Sequence, residues 1–193
     1  MVTQVIRILL DLGVFLVLVS FFFGKYLDRL EEKIRVGMAE MKVCSVPDTI
    51  TTLGLGSCVG VVLYDSQKKI CGLIHVMLPD STRIKNHSNR AKFADTAIVD
   101  MLSELEKLGC RRRNIIAKIA GGAKMFEFGS DKRTTSILSI GEENIRAVRE
   151  ILSRENIPLK AQDVGLNYGR TIIFNPENGE LFIKAVGKED KII

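Results

Sequence analysis

The sequence predicts a mixed α+β domain, a single sandwich of mixed and antiparallel strands packed by two main helices and preceded by an apolar N-terminal helix. Three observations carry this. Short β-rich runs recur between glycine, proline and Asn/Asp turn signals. Beyond the N-terminus, only two stretches repeat apolar residues at helical spacing. The chain has 193 residues and is 46% hydrophobic, which closes one core and leaves too little for two comfortable domains.

Residues 8–24, ILLDLGVFLVLVSFFFG, are almost wholly apolar and run straight into the charged KYLDRLEEKIR. This run falls short of the ~20 apolar residues that span a bilayer, and Asp11 interrupts it. A cleaved signal peptide fits poorly, because only Arg7 precedes the run and no small-x-small site follows. Were it inserted, Lys25, Arg29, Lys33 and Arg35 would outnumber Arg7 and hold everything after it in the cytoplasm. Residues 1–33 are therefore read either as a membrane anchor or as an upstream extension, with translation starting nearer Met38, and residues 34–193 as the domain.

Within that domain IRVGMAEMKV reads as a first strand region, and Pro47-Asp48 marks a turn before Ile50-Thr51-Thr52. SCVGVVLY and ICGLIHVML are strands joined by Asp65-Ser66-Gln67-Lys68-Lys69, a hairpin. Between residues 90 and 108, Phe93, Ala97, Ile98, Met101, Leu102, Leu105 and Leu108 recur at helical spacing, and Gly109 stops the helix. NIIAKIAGGA is a buried strand entering a glycine turn. EENIRAVREILSREN is the second helix, with Ile145, Val148, Ile151 and Leu152 inward. In the tail, TIIFNPENGELFIKAV, Asn178-Gly179 between apolar runs signals another hairpin.

Composition narrows the function. The net charge is +5 and the pI about 9.1, but the basic residues are scattered, and the one tight run, Arg111-Arg112-Arg113, follows the helix stop at Gly109. With no tryptophan and three tyrosines, the aromatic-and-basic interleaving that stacks single-stranded nucleic acid is missing, so no nucleic-acid partner is expected. Cysteines 44, 58, 71 and 110 form no CxxC pair, which points to a reducing, cytoplasmic setting. The two histidines, 75 and 87, complete no metal-ligand spacing. Zinc would require Cys58, Cys71 and His75 to converge, and no metal or cofactor is expected.

The chemistry concentrates in TTLGLGSCVGVVLYDSQKKICGLIHVMLPDS, residues 51–81. If Tyr64 faces Lys69 across the hairpin, Cys58 lies directly opposite His75, and directly opposed residues share a face with Cβ atoms about 4.5–5.5 Å apart. An imidazole so placed activates a thiol as a nucleophile and carries its proton. Gly54-Leu55-Gly56-Ser57 leads into the cysteine, and the backbone amides of Gly56, Ser57 and Cys58 are the material of an oxyanion hole. Spacing admits Thr52, Asp80 or Ser81 as the group that orients the imidazole. A cysteine at the head of an apolar strand is more often a core residue, and so is a histidine within one; it is their joint register that raises the catalytic reading. GLGSCVG imitates a dinucleotide loop only in part, since its glycines precede a strand instead of opening a helix.

TLGLGSCVGVVLYD, HVMLPDS, KFADTAI, AKIAGGAKMF and GEENIRAV, in that order over roughly residues 34–187, resemble the CheD family of bacterial chemoreceptor glutamine deamidases. The resemblance implies an α/β sandwich like that of deamidating bacterial toxins and a Cys–His–Thr set on Cys58, His75 and Thr52. It implies deamidation of glutamines on methyl-accepting chemotaxis receptors through a thioester, with glutamyl methylesterase as a side activity. It also implies a partner, a CheC-type phosphatase, contacted near AGGAKMF, which makes Phe126 the partner-binding candidate. The alternative is a non-catalytic module that docks on receptors or on such a phosphatase. Two departures stand out. The family's D-x-G-G-x-x-G-R stretch appears as Asp163 to Arg170 with Leu166 at the second glycine, and the apolar N-terminus is not a usual feature of the family.

Overall fold

A computed structural model of the chain describes residues 31–83, 88–124 and 132–193. The apolar run 8–24 and the partner candidate Phe126 lie outside the described residues. From Lys33 onward the chain forms one compact unit built of two five-stranded sheets. The outer sheet runs β1 (Lys33–Val36), β3 (Thr49–Leu55), β8 (Arg170–Asn175), β9 (Glu180–Lys184) and β10 (Lys191–Ile192). The second runs β2 (Met41–Ser45), β5 (Ile70–Val76), β4 (Val59–Asp65), β6 (Ile115–Gly121) and β7 (Leu159–Val164), and two helices back it, α1 (Ala94–Lys107) and α2 (Lys132–Arg154). Pairing is parallel in β1–β3 and β6–β7 and antiparallel elsewhere.

Strand alternation divides the core into two layers. Along β4, Val59, Val61 and Leu63 point to the helices and join Ile74, Ile98, Met101, Leu102, Val148 and Leu152. Val62 and Tyr64 point the other way and pack with Leu73, Ile50, Leu55, Ile172 and Phe174 between the sheets. Every residue of β4 is buried, as expected of a strand covered on both faces, and this is why VGVVLY reads as a continuous apolar run.

Three sequence expectations change. IRVGMAEMKV is two strands in different sheets, because Gly37 to Glu40 turns the chain, with Ala39 at φ +54°. The second helix begins at Lys132, well before Glu142, and runs through Gly141. A Cβ on Gly141 would lie 2.6 Å from the Gly122 carbonyl oxygen, so this glycine serves close approach of helix to strand end and does not break the helix. The hairpin register is the third change. Tyr64 faces Cys71, and Gly60 faces His75, a shift of two residues from the expected pairing. Asp65 causes it: its Oδ1 accepts from the N–H groups of Gln67 and Lys68 at 3.0 and 3.2 Å, closing a turn in which Lys69 takes φ +53° and Asp65 pairs with Ile70. A two-residue shift preserves faces, so Cys58 and His75 remain on one side of the sheet but stand on the diagonal.

Candidate active site

The site forms where the chain crosses between sheets. The ladder of β3 with β8 slips between Thr52 and Leu55, with Gly54 at φ +71°, and such a bulge re-aims the strand that carries it. The loop from Gly54 to Cys58 then enters β4 at Val59.

Thr52 and His75 face each other between the sheets, both wholly buried, with Oγ1 of Thr52 2.7 Å from Nδ1 of His75. The threonine hydroxyl has one proton and donates it to the Val36 carbonyl at 2.8 Å. Nδ1 must therefore carry the ring proton and donate it to Oγ1, which leaves Nε2 as the basic nitrogen. That Nε2 is buried and has no hydrogen-bond partner among the described residues. Gly60 is paired with His75 across the ladder. A Cβ on Gly60 would come within 2.6 Å of Ile172 Cδ1.

Cys58 is half-buried and packs against the layer between the sheets that holds His75. Burial pushes its thiol up from the ordinary value and holds the His75 imidazole below the usual 6.5. Both directions favour the uncharged forms of the two groups.

The loop's backbone is pinned from one side. The Ala123 N–H donates to the Gly56 carbonyl at 2.7 Å and the Gly122 N–H to the Cys58 carbonyl at 2.8 Å, while the Asn144 side-chain NH₂ donates to the Ser57 and Met77 carbonyls, each at 2.9 Å. Of the three expected donors, the Gly56 N–H is engaged with the Gly54 carbonyl at 2.9 Å. The N–H groups of Ser57 and Cys58 donate to nothing among the described residues.

The rejected orienting candidates are occupied elsewhere. Asp80 accepts from the N–H and hydroxyl of Thr82, each at 2.8 Å, and Ser81 bonds Asp95 near the start of α1. Cys71 lies opposite Cys44, and no group of three His, Cys, Asp or Glu among the described residues could hold a metal ion. Leu166 adopts φ +60° and its carbonyl accepts the Lys124 N–H at 2.7 Å. The turn thus keeps a left-handed geometry with leucine where the family resemblance expects glycine. It is braced by buried Arg170, whose Nε donates to Asp163 at 2.7 Å and whose Nη1 donates to the Gly165 and Tyr168 carbonyls. Asn144 was not singled out from sequence, although a signal exists: it stands four residues before Val148 and seven before Ile151, a polar residue on the apolar stripe of α2.

A half-buried thiol, an imidazole with an open basic nitrogen and two free amides are the ingredients of cysteine-dependent acyl transfer. The family model for CheD chemotactic sensory transduction matches residues 77–185. A protein of Lachnoclostridium phytofermentans named probable chemoreceptor glutamine deamidase CheD is 59% identical over 162 residues, covering 84% of this chain and 99% of that one. A protein of Moorella thermoacetica with the same name is 49% identical, covering 84% and 96%. The chemoreceptor glutamine deamidase CheD of Halalkalibacterium halodurans is 48% identical, covering 85% and 100%. The chain belongs to the CheD family.

Proposed function

We propose that this chain is a chemoreceptor glutamine deamidase, converting receptor glutamines to glutamates with release of ammonia, and that Cys58, His75 and Thr52 perform the reaction. The observation that carries this is the fixed tautomer of His75: Thr52 accepts the Nδ1 proton, so Nε2 stands ready as base on the face that Cys58 shares.

In the reaction, Sγ of Cys58 attacks the carboxamide carbon while His75 Nε2 takes the thiol proton. The carbonyl electrons move to oxygen, where the Ser57 and Cys58 N–H groups stabilise the oxyanion. As the oxyanion collapses the C–N bond breaks, and the imidazolium returns its proton to the departing nitrogen, giving ammonia and a thioester. Water then adds to the thioester, with Nε2 as base, and the thiol leaves reprotonated. The balance is glutamine plus water to glutamate plus ammonia. A glutamyl methyl ester differs only in its leaving group, so the same steps would release methanol.

A cytoplasmic setting, a CheC-type phosphatase partner reached near Phe126, and membrane association through residues 8–24 complete the reading. The domain is taken as residues 34–193, with 1–33 as an extension. The test is to incubate the full chain with a receptor fragment and read glutamine-to-glutamate conversion by mass spectrometry. Conversion by the parent and none by Cys58→Ala is expected. Conversion surviving that substitution would rule out the mechanism, and none by the parent would leave a binding module.

A further inference from the structure

We infer that Asn144 is a positioning residue which, with the Ala123 amide, turns the Cys58 and Ser57 N–H groups toward the reacting carbonyl. The inference rests on the acyl-transfer reading of this site.

The geometry follows from the planarity of the peptide. In a trans peptide the N–H of one residue points opposite to the C=O of the residue before it, and the peptides of this loop are trans. The Ser57 carbonyl and the Cys58 N–H belong to one such unit. Holding that carbonyl on Asn144 aims the Cys58 N–H away from α2. Holding the Gly56 carbonyl on the Ala123 N–H aims the Ser57 N–H away from the end of β6. The Gly122 N–H donates to the Cys58 carbonyl, and the reciprocal bond from the Cys58 N–H is not formed. A donor that would ordinarily complete the sheet ladder is thereby left open at the nucleophile.

Asn144 is suited to this by both hydrogens of its amide. One goes to Ser57 and the other to Met77, the residue that follows β5 and would face Cys58 were the β4–β5 ladder extended by one pair. The amide thus ties the two strand ends that carry the nucleophile and the base. Two carbonyl oxygens can be faced only by the NH₂ end, so the orientation of the amide is fixed. Its Oδ1 is buried without a partner among the described residues, a cost that an apolar side chain on this stripe would avoid. The amide is kept for its donors.

Two reactions of the same thiol separate this role from a merely structural one. Iodoacetamide alkylates Cys58 by displacement at a saturated carbon and forms no oxyanion at the carbon attacked. p-Nitrophenyl acetate acylates it through a tetrahedral oxyanion. In the full chain, Asn144→Ala should leave alkylation within about twofold while acylation falls about tenfold or more, the scale on which oxyanion donors act. Deamidation should show the loss in kcat with KM little changed. An acylation-to-alkylation ratio equal to the parent's would overturn the proposal, as would a parallel fall in both rates. If Asn144→Ala does not fold, Asn144→Asp serves. Its protonated carboxyl can donate to one carbonyl and its ionised form to neither, so its acylation-to-alkylation ratio should rise as pH falls, and a ratio flat with pH would count against the role. Failure of the parent to deamidate receptors would remove the substrate assignment while the ratio still judged Asn144.

Discussion

Cys44 and Cys71 face each other directly across β2 and β5, whereas Cys58 stands only diagonal to His75. Both thiol sites border the layer between the sheets, yet their surroundings differ. The first pair is fully buried; the Cys44 thiol donates to the Asp48 carbonyl at 3.3 Å, and its hydrogen bond with Cys71, together with burial, pushes the Cys71 thiol well up. Cys58 is half-exposed at a strand end, on the face that holds His75, whose Nε2, like the Ser57 and Cys58 amides, has no partner among the described residues. Direct opposition in a ladder brings side chains close but also surrounds them. Chemistry needs the end of the ladder, where backbone donors come free and a substrate can enter.

The largest expected contrast is between the two sites themselves. Cys58→Ala should lower deamidation by roughly 10³-fold or more, while Cys71→Ala should leave kcat near the parent's and cost about 1 kcal/mol of stability in denaturant unfolding. Equal losses of activity would erase the distinction drawn here. Thr52→Val comes next: it removes the acceptor of the Nδ1 proton and frees the imidazole to take the wrong tautomer, so steady-state kcat should fall by about 10²-fold, with Thr52→Ser retaining most activity. A valine variant that kept the parent's kcat would mean that the hydroxyl is not what holds the imidazole.

Milder effects follow. Burial holds His75 below 6.5 and the reaction needs it neutral, so kcat/KM should decline only as pH drops through a value below 6.5. An acid limb above 6.5 would contradict a buried neutral base. Limited treatment with iodoacetamide should label Cys58 ahead of Cys44, Cys71 and Cys110, all of them buried, as read by peptide mass spectrometry. The smallest effect is at Leu166, whose left-handed backbone costs roughly 1–2 kcal/mol. Leu166→Gly should raise stability by about that amount, with kcat unchanged if the loop owes its shape to its carbonyl clamps.

Much of this architecture was legible because apolar alternation is local. VGVVLY, ICGLIHV and the stripe from Phe93 to Leu105 each declare their element without help from the rest of the chain. The register of the central hairpin was not legible, since the side chain of Asp65 fixed the turn and no propensity reports that. β7 escaped notice because LKAQDV buries little and relies on β6 for its place. At the site, Cys58 and His75 were found through a pairing that was two residues off and still put them on the same face. Asn144 shows in the sequence as a polar residue on the apolar stripe of α2, but nothing local reports that its two amide hydrogens meet the Ser57 and Met77 carbonyls.

Gly141 packs backbone against backbone with Gly122 and Ala123, leaving no side chain to cushion the seam. Gly122 and Ala123 in turn donate to the Cys58 and Gly56 carbonyls, so fraying of α2 should register as lost amide protection at Gly122 and Ala123.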